Sequence, residues 1–178
     1  MFDPILTFWF DEIAPAQWWK KDPSFDQLIA DRFGDLLRQA AQCELYEWRS
    51  DPRGRLAEVI VLDQFSRNIY RDSPLAFAQD ALALGLAQEA LRVGADYGLT
   101  PTERSFLLMP FMHSESLLIH ELAVGLFEKN GIASNYDYEL AHKAIIERFG
   151  RYPHRNQILG RVSTAEEVEF LQQPGSSF

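Results

Sequence analysis

Between Leu56 and Ile69 the apolar residues fall at positions 56, 59, 60, 61, 62, 65 and 69. Steps of three and four bring them to one side of an α-helix. The β-branched run Val59-Ile60-Val61 also suits a strand. The rhythm continues to Ile69, however, and favours a central helix over 56–70. No other segment supplies a credible strand to pair with it, so this stretch commits the chain to packing helix on helix.

Punctuation along the chain fits that choice. Asp3-Pro4 opens a short aromatic helix that ends near Glu12, and Asp22 or Ser24 can cap an amphipathic helix over 23–43. Residues 42–55 read as turns, with Asp51-Pro52-Arg53-Gly54 as the break and Tyr46 and Trp48 folded back onto the core. An alanine-rich helix is expected over 75–93, closed by Gly94. Thr100-Pro101-Thr102-Glu103 starts a helix that kinks at Pro110 and runs on to Asn130. Further helices are expected over 135–149 and 164–172. The expectation is an all-α protein, one domain over 1–178, of about seven antiparallel helices. Its helix-turn-helix cadence is that of tetratricopeptide-like arrays, though no repeat of fixed period is visible.

Composition narrows the partners. The 178 residues carry a formal charge of −9, which argues against nucleic acid, because backbone phosphates call for a basic footprint. The 13 Phe, 6 Tyr and 4 Trp predict a core of large rings. A single cysteine, Cys43, forbids an intramolecular disulfide. The N-terminal segment lacks a basic n-region, and no apolar run nears the roughly 18 residues of a membrane span. These features predict a cytoplasmic protein. Trp18 and Trp19 beside Lys20 and Lys21 read either as an aromatic, basic mouth or as core plugs with lysines in water.

Three polar islands interrupt this frame. Asp63, Gln64, Arg67 and Asn68 lie on the central helix, where 63 stacks on 67 and 64 on 68. His113, Ser114 and Glu115, then His120 and Glu121, follow the expected kink. The stretch 147–161, ERFGRYPHRNQILGR, gathers four arginines, a histidine and an asparagine around Pro153. Gly150 turns this chain out of its helix, and Pro153 biases Tyr152 to an extended conformation. Arginine forks suit carboxylate or phosphate. They equally suit Asp63, Glu115 or Glu147 within the fold. Glu139-x-x-His142 has the spacing of di-iron bundles, but those sites need two such motifs. No phosphate loop, nucleophile elbow or Cys-x-x-Cys is present.

The segments FWF (8–10), LDQFSRNIYR (62–71), PFMHSE (110–115), RFGRYPHRNQILGR (148–161), STAEEVEFL (163–171) and the PGSSF tail make the chain resemble a bacterial family, domain of unknown function 924. The resemblance implies a tetratricopeptide-like all-helical fold. It brings no established activity or cofactor. Ser66 stands where proline is common in that family, which leaves the helix interior unbroken.

The leading functional expectation is an internal pocket for a small anionic molecule or peptide end. Arg67, Arg151 and Arg155 would hold the anion, with Asp63, Gln64, Asn68, His154 and Asn156 orienting it. His113 paired with Glu115 is the acid/base candidate. One alternative is a hydrolase-like enzyme, metal-assisted through His113, Glu115, His142 and His154. Another is a protein-interaction scaffold in which the islands form a buried latch and Trp18 and Trp19 face a partner. No cofactor, metal or oligomeric state can be named from the sequence.

Overall fold

Capping side chains decide where most helices begin. In the computed structural model, which describes residues 2–177, α1 (Asp3–Thr7) runs directly into a π-helical turn, Phe8–Glu12. A 3-10 turn, Pro15–Trp19, leads to α2 (Pro23–Ala41), where the Asp22 carboxylate accepts from the backbone N–H of Ser24 and Phe25. The next helix, α3 (Pro52–Ile60), starts at the Asp51-Pro52 pair that the sequence reading took for a break. Asp51 is its N-cap, accepting from the Arg53 N–H at 2.7 Å. Gly54 sits inside it because a Cβ there would lie 2.2 Å from the Trp48 carbonyl oxygen.

The central helix continues from α3 through a π-helical turn, Val61–Phe65, into α4 (Ser66–Ile69). A 3-10 turn, Pro74–Phe77, precedes α5 (Asp80–Arg92). Thr100 and Glu103 form a reciprocal capping box at α6 (Pro101–Met112). Then come α7 (Leu117–Asn130), α8 (Ala133–Phe149) and α9 (Ala165–Phe170). Gly131 and Gly150 close α7 and α8 at φ of 80° and 66°, the left-handed region glycine tolerates. No strand occurs among the described residues.

Two expectations need correction. The helix through Pro110 does not kink and resume. It ends at Met112, and a turn carrying His113, Ser114 and Glu115 separates α6 from α7. The described residues therefore hold eight α-helical runs, with the central run counted once, in keeping with the about seven expected. Tyr46 is 62% exposed, whereas Trp48 does fold back, edge-on to Phe2 at 6.2 Å. The Phe178 end of the PGSSF tail lies outside the described residues.

From Leu56 onward the α3 helix is enclosed, packing on α5 and α6, while its π-helical continuation packs on α2. α7 packs on both α6 and α8. The main core is aromatic: Trp9 stands edge-on to Phe65 and Phe106 at 5.5 and 5.6 Å, and Phe8 and Phe33 close on the same cluster. Trp18 donates its indole N–H to the Trp9 carbonyl and packs on this core. Trp19 faces outward with one ring face stacked on Phe106 at 5.9 Å. A smaller cluster, Ile145, Ile146 and Tyr152 with Phe149 and Phe170, lies where the 147–161 stretch meets α8 and α9.

Candidate functional site

The π-helical turn places an acid in the core. π turns are rare and recur at functional sites, because their extra residue re-aims the side chains they carry. Asp63 lies within the turn and is fully buried. Its carboxylate accepts from the Gln64 amide at 2.7 Å and meets the His113 Nδ1 at 2.8 Å and the Arg67 guanidinium at 3.1 Å. Burial pushes the carboxyl up, but the adjacent Arg67 and His113 outweigh that and hold it below the usual carboxylate range. Asp63 is thus an anion that only accepts, so Nδ1 of His113 carries the proton. Burial, and then the nearby Arg67 charge, lower the His113 pKa against the pull of Asp63, and the ring is neutral at pH 7. The lone pair is left on Nε2, and the one ring hydrogen bond of His113 among the described residues is the one at Nδ1.

Beside this pair lie two guanidiniums that share one carboxylate. Arg67 grips Asp80 through both Nη atoms at 2.8 and 3.0 Å, and Arg155 reaches the same group at 3.3 Å. Arg155 also donates to the His113 carbonyl at 2.9 Å, while its buried Nε has no partner. The rings of Phe77 and Tyr152 each lie 4.6 Å from the Arg155 guanidinium. Phe77 also lies 5.6 Å from Arg67. Asp63, Asp80, Arg67 and Arg155 sum to zero charge.

Tyr152 joins this cluster to α7 and α8. Its hydroxyl donates to the Met112 carbonyl at 2.6 Å and lies 3.1 Å from the His120 Nε2. His142 and His154 pack on its ring at centroid distances of 5.7 and 5.5 Å. Burial pushes the His142 imidazole down to about 3, and burial with the Arg155 charge pushes His154 down to about 4. His120 is enclosed between the Ser114 carbonyl at 2.8 Å and Glu139 at 2.7 Å. Burial raises the Glu139 pKa.

The predicted residues divide into two groups. Asp63, Gln64, Arg67, His113 and Arg155 come together, with His154 against Tyr152. Asn68 does not join them: it donates to Asp26, which also holds Arg71. Gln64 turns to Asp63 and Asn68 to Asp26, whereas Asp63 and Arg67 meet as their spacing predicts. Arg151 is spent on Glu167 and the Val162 carbonyl, and Asn156 bridges Ser163 and Arg161. Glu115 is not the partner of His113. It is gripped by Arg161 at 2.7 and 2.9 Å and accepts from the Tyr152 N–H. Glu139 faces His120, while His142 bonds the Tyr138 carbonyl one turn back. Among the described residues no three His, Cys, Asp or Glu side chains are grouped to hold a metal ion.

Asp80, Phe77 and Tyr152 escaped the sequence reading. Asp80 lies 75 residues from Arg155, beyond any spacing rule, and its one signal was an acid opening an alanine-rich helix. Tyr152 was visible as the aromatic residue inside the arginine-rich stretch. Two surface concavities lie elsewhere, one between α8 and α9 and one beside α2.

An all-helical frame with a buried acid–histidine–arginine joint is the class of protein these features define. The chain belongs to the family described as "Bacterial protein of unknown function (DUF924)", which matches residues 5–175. A solved structure of a protein of unknown function from Agrobacterium tumefaciens is similar over 96% of each chain, at 37% identity and a TM-score of 0.91. No curated protein matches the chain. No helix among the described residues is long and apolar enough to cross a membrane.

Proposed function

We propose that this cytoplasmic, tetratricopeptide-like protein binds a small anionic molecule at the joint of Asp63, Arg67, His113 and Arg155. The observation that carries this reading is the orientation of His113. A buried carboxylate fixes its Nδ1–H and leaves the Nε2 lone pair of a neutral imidazole without a hydrogen bond among the described residues, in a cluster with Arg67, which shares Asp63, and Arg155, which holds the His113 carbonyl. Neutral, oriented imidazole suits proton transfer, and adjacent guanidiniums suit an anionic partner. Gln64 orients Asp63, and Arg155 positions His113 through its carbonyl. The test is thermal melting of wild type and Arg155→Ala with acetate, succinate, inorganic phosphate and divalent metals. A wild-type shift that disappears in the variant is the expected result. In a binding module, His113→Gln keeps the affinity; in an enzyme, the same change abolishes turnover.

A second reading is favoured by one specific observation: every arginine of the 147–161 stretch meets a carboxylate. Arg148 pairs with Glu166, Arg151 with Glu167, Arg155 with Asp80 and Arg161 with Glu115. On this reading the joint is a structural latch, and the working surface is an outer helical face such as that of Leu118 and Leu122 on α7. It predicts no shift with any compound and an Arg155→Ala variant that melts far lower, because removing one member of a buried pair strands the other.

A further inference from the structure

The ligand site proposed above is filled from within. Asp80 occupies both arginine forks, in the bidentate geometry a free carboxylate would adopt with Arg67. It arrives on a short segment, residues 74–80, that also lays the Phe77 ring against both guanidiniums.

This segment is anchored by the buried Ala76 and lies otherwise toward the surface. Pro74, Leu75 and Ala78 are exposed. Beside it a surface concavity of about 100 Å³ lies between Leu75, Ala78 and Gln79 on one side and Leu37, Ala41, Ser66 and Tyr70 on the other. The Ser66 hydroxyl at its floor is buried and has no hydrogen-bond partner. Buried polar groups are otherwise satisfied, so an orphaned hydroxyl marks a poorly matched contact beneath the segment. The segment follows Asp72, whose φ of 61° puts a sharp left-handed turn at its base.

We infer that residues 74–80 form a lid whose Asp80 stands in for the carboxylate of the ligand, so that a small monocarboxylate enters by displacing Asp80 from Arg67 and Arg155. Charge selects the class. With Asp80 in place the four ionised groups cancel, and exchanging one carboxylate for another keeps them cancelled in a half-buried site. A phosphate dianion would leave one negative charge in excess, which burial penalises.

This inference rests on the ligand site of the previous section, and the experiment separates the two. Acetate affinity is measured by calorimetry on the full chain, wild type and Asp80→Asn, with inorganic phosphate as a parallel probe. Hydrogen exchange of the Ala76 and Ala78 amides, which bond to the Ser73 and Leu75 carbonyls, is followed in the wild type. A tethered competitor acts at about millimolar effective concentration, so with an intrinsic carboxylate Kd of about 0.1 mM Asp80→Asn should bind acetate about tenfold more tightly. In wild type, saturating acetate should accelerate exchange at both amides. Suppose instead that acetate binds wild type and moves the His113 ring signals while Asp80→Asn binds no tighter and exchange is unchanged. The lid is then overturned and the ligand site stands. Binding of neither anion to either protein overturns both, and tighter binding of phosphate alone overturns the carboxylate assignment. Should Asp80→Asn not fold, the exchange result on wild type decides.

Discussion

The two clusters of this molecule are built on opposite principles. Around Trp9, Phe65 and Phe106 the contacts are ring against ring, non-directional, and tolerant of small shifts. Around Tyr152, Arg155 and His113 nearly every contact has a donor, an acceptor and a direction. The first kind of packing supplies the bulk of the driving force through apolar burial. The second adds little net energy per bond, yet a half-satisfied polar network costs more than none. The apolar cluster therefore sets how stable the fold is, and the polar joint sets how the C-terminal third is held.

Phe65→Ala would break this contrast most severely. Phe65 is fully buried against Phe8, Trp9 and Phe33, so truncation leaves a cavity in the aromatic core. A loss of about 3–5 kcal/mol is expected. Denaturant titration measures it; a loss below about 1 kcal/mol would mean that the core collapses freely around the gap.

Acid should act strongly on the joint. His142 and His154 are held neutral in the fold, at about 3 and about 4, against an ordinary value near 6.5. A depressed histidine contributes stability that is complete above the unfolded value and is lost as pH falls from there toward the folded one. Each should cost up to about 1.4 kcal/mol per pH unit below about 6.5. The lowered carboxyls of Glu115 and Glu167 extend the loss to lower pH. Melting temperature should thus fall between pH 6.5 and 4, and His154→Gln should flatten the fall. An unchanged slope in that variant would remove His154 from the account.

Arg161→Ala tests the joint at one ion pair. It frees Glu115, which is half-buried and also receives the Tyr152 N–H. With both partners partly in water, a loss of about 1–3 kcal/mol is expected, measured by chemical denaturation. Double replacement with Glu115→Gln should cost less than the sum of the two single changes, because neither partner is then left stranded.

The same contrast explains what the sequence disclosed. Thr100 with Glu103, Thr164 with Glu167, and Gly131 and Gly150 are local signals acting within one turn, and they located the helix ends. The aromatic core was foreseeable from composition, because such packing needs rings but no particular pairing. The joint was legible only as three islands of polar residues. Its pairings join Asp63 to His113, Asp80 to Arg155 and His120 to Glu139 across separations no periodicity encodes. Locally the 63/67 pair was legible from helical spacing, but the partner of Asn68, Asp26, lies 42 residues away on α2. Asp51-Pro52 was ambiguous between stop and start, and the side-chain cap on the Arg53 N–H resolves it.

Tyr152→Phe is the mildest change and the sharpest probe of the difference. The ring stays, so the packing of His142, His154 and Arg155 on its faces and edges is retained. Only the hydroxyl goes, leaving the Met112 carbonyl without that donor at the end of α6. If the joint behaved like the aromatic core, removing one oxygen would be nearly neutral. As a directional network it should cost about 1 kcal/mol. It should also perturb His120, whose Nε2 lies within reach of that oxygen, more than the distant Trp9. Ring signals of the histidines in the nuclear magnetic resonance spectrum distinguish these outcomes. A change confined to His120 and the α6–α7 turn would place the hydroxyl inside the network, and a change in none of them would reduce Tyr152 to a hydrophobic plug.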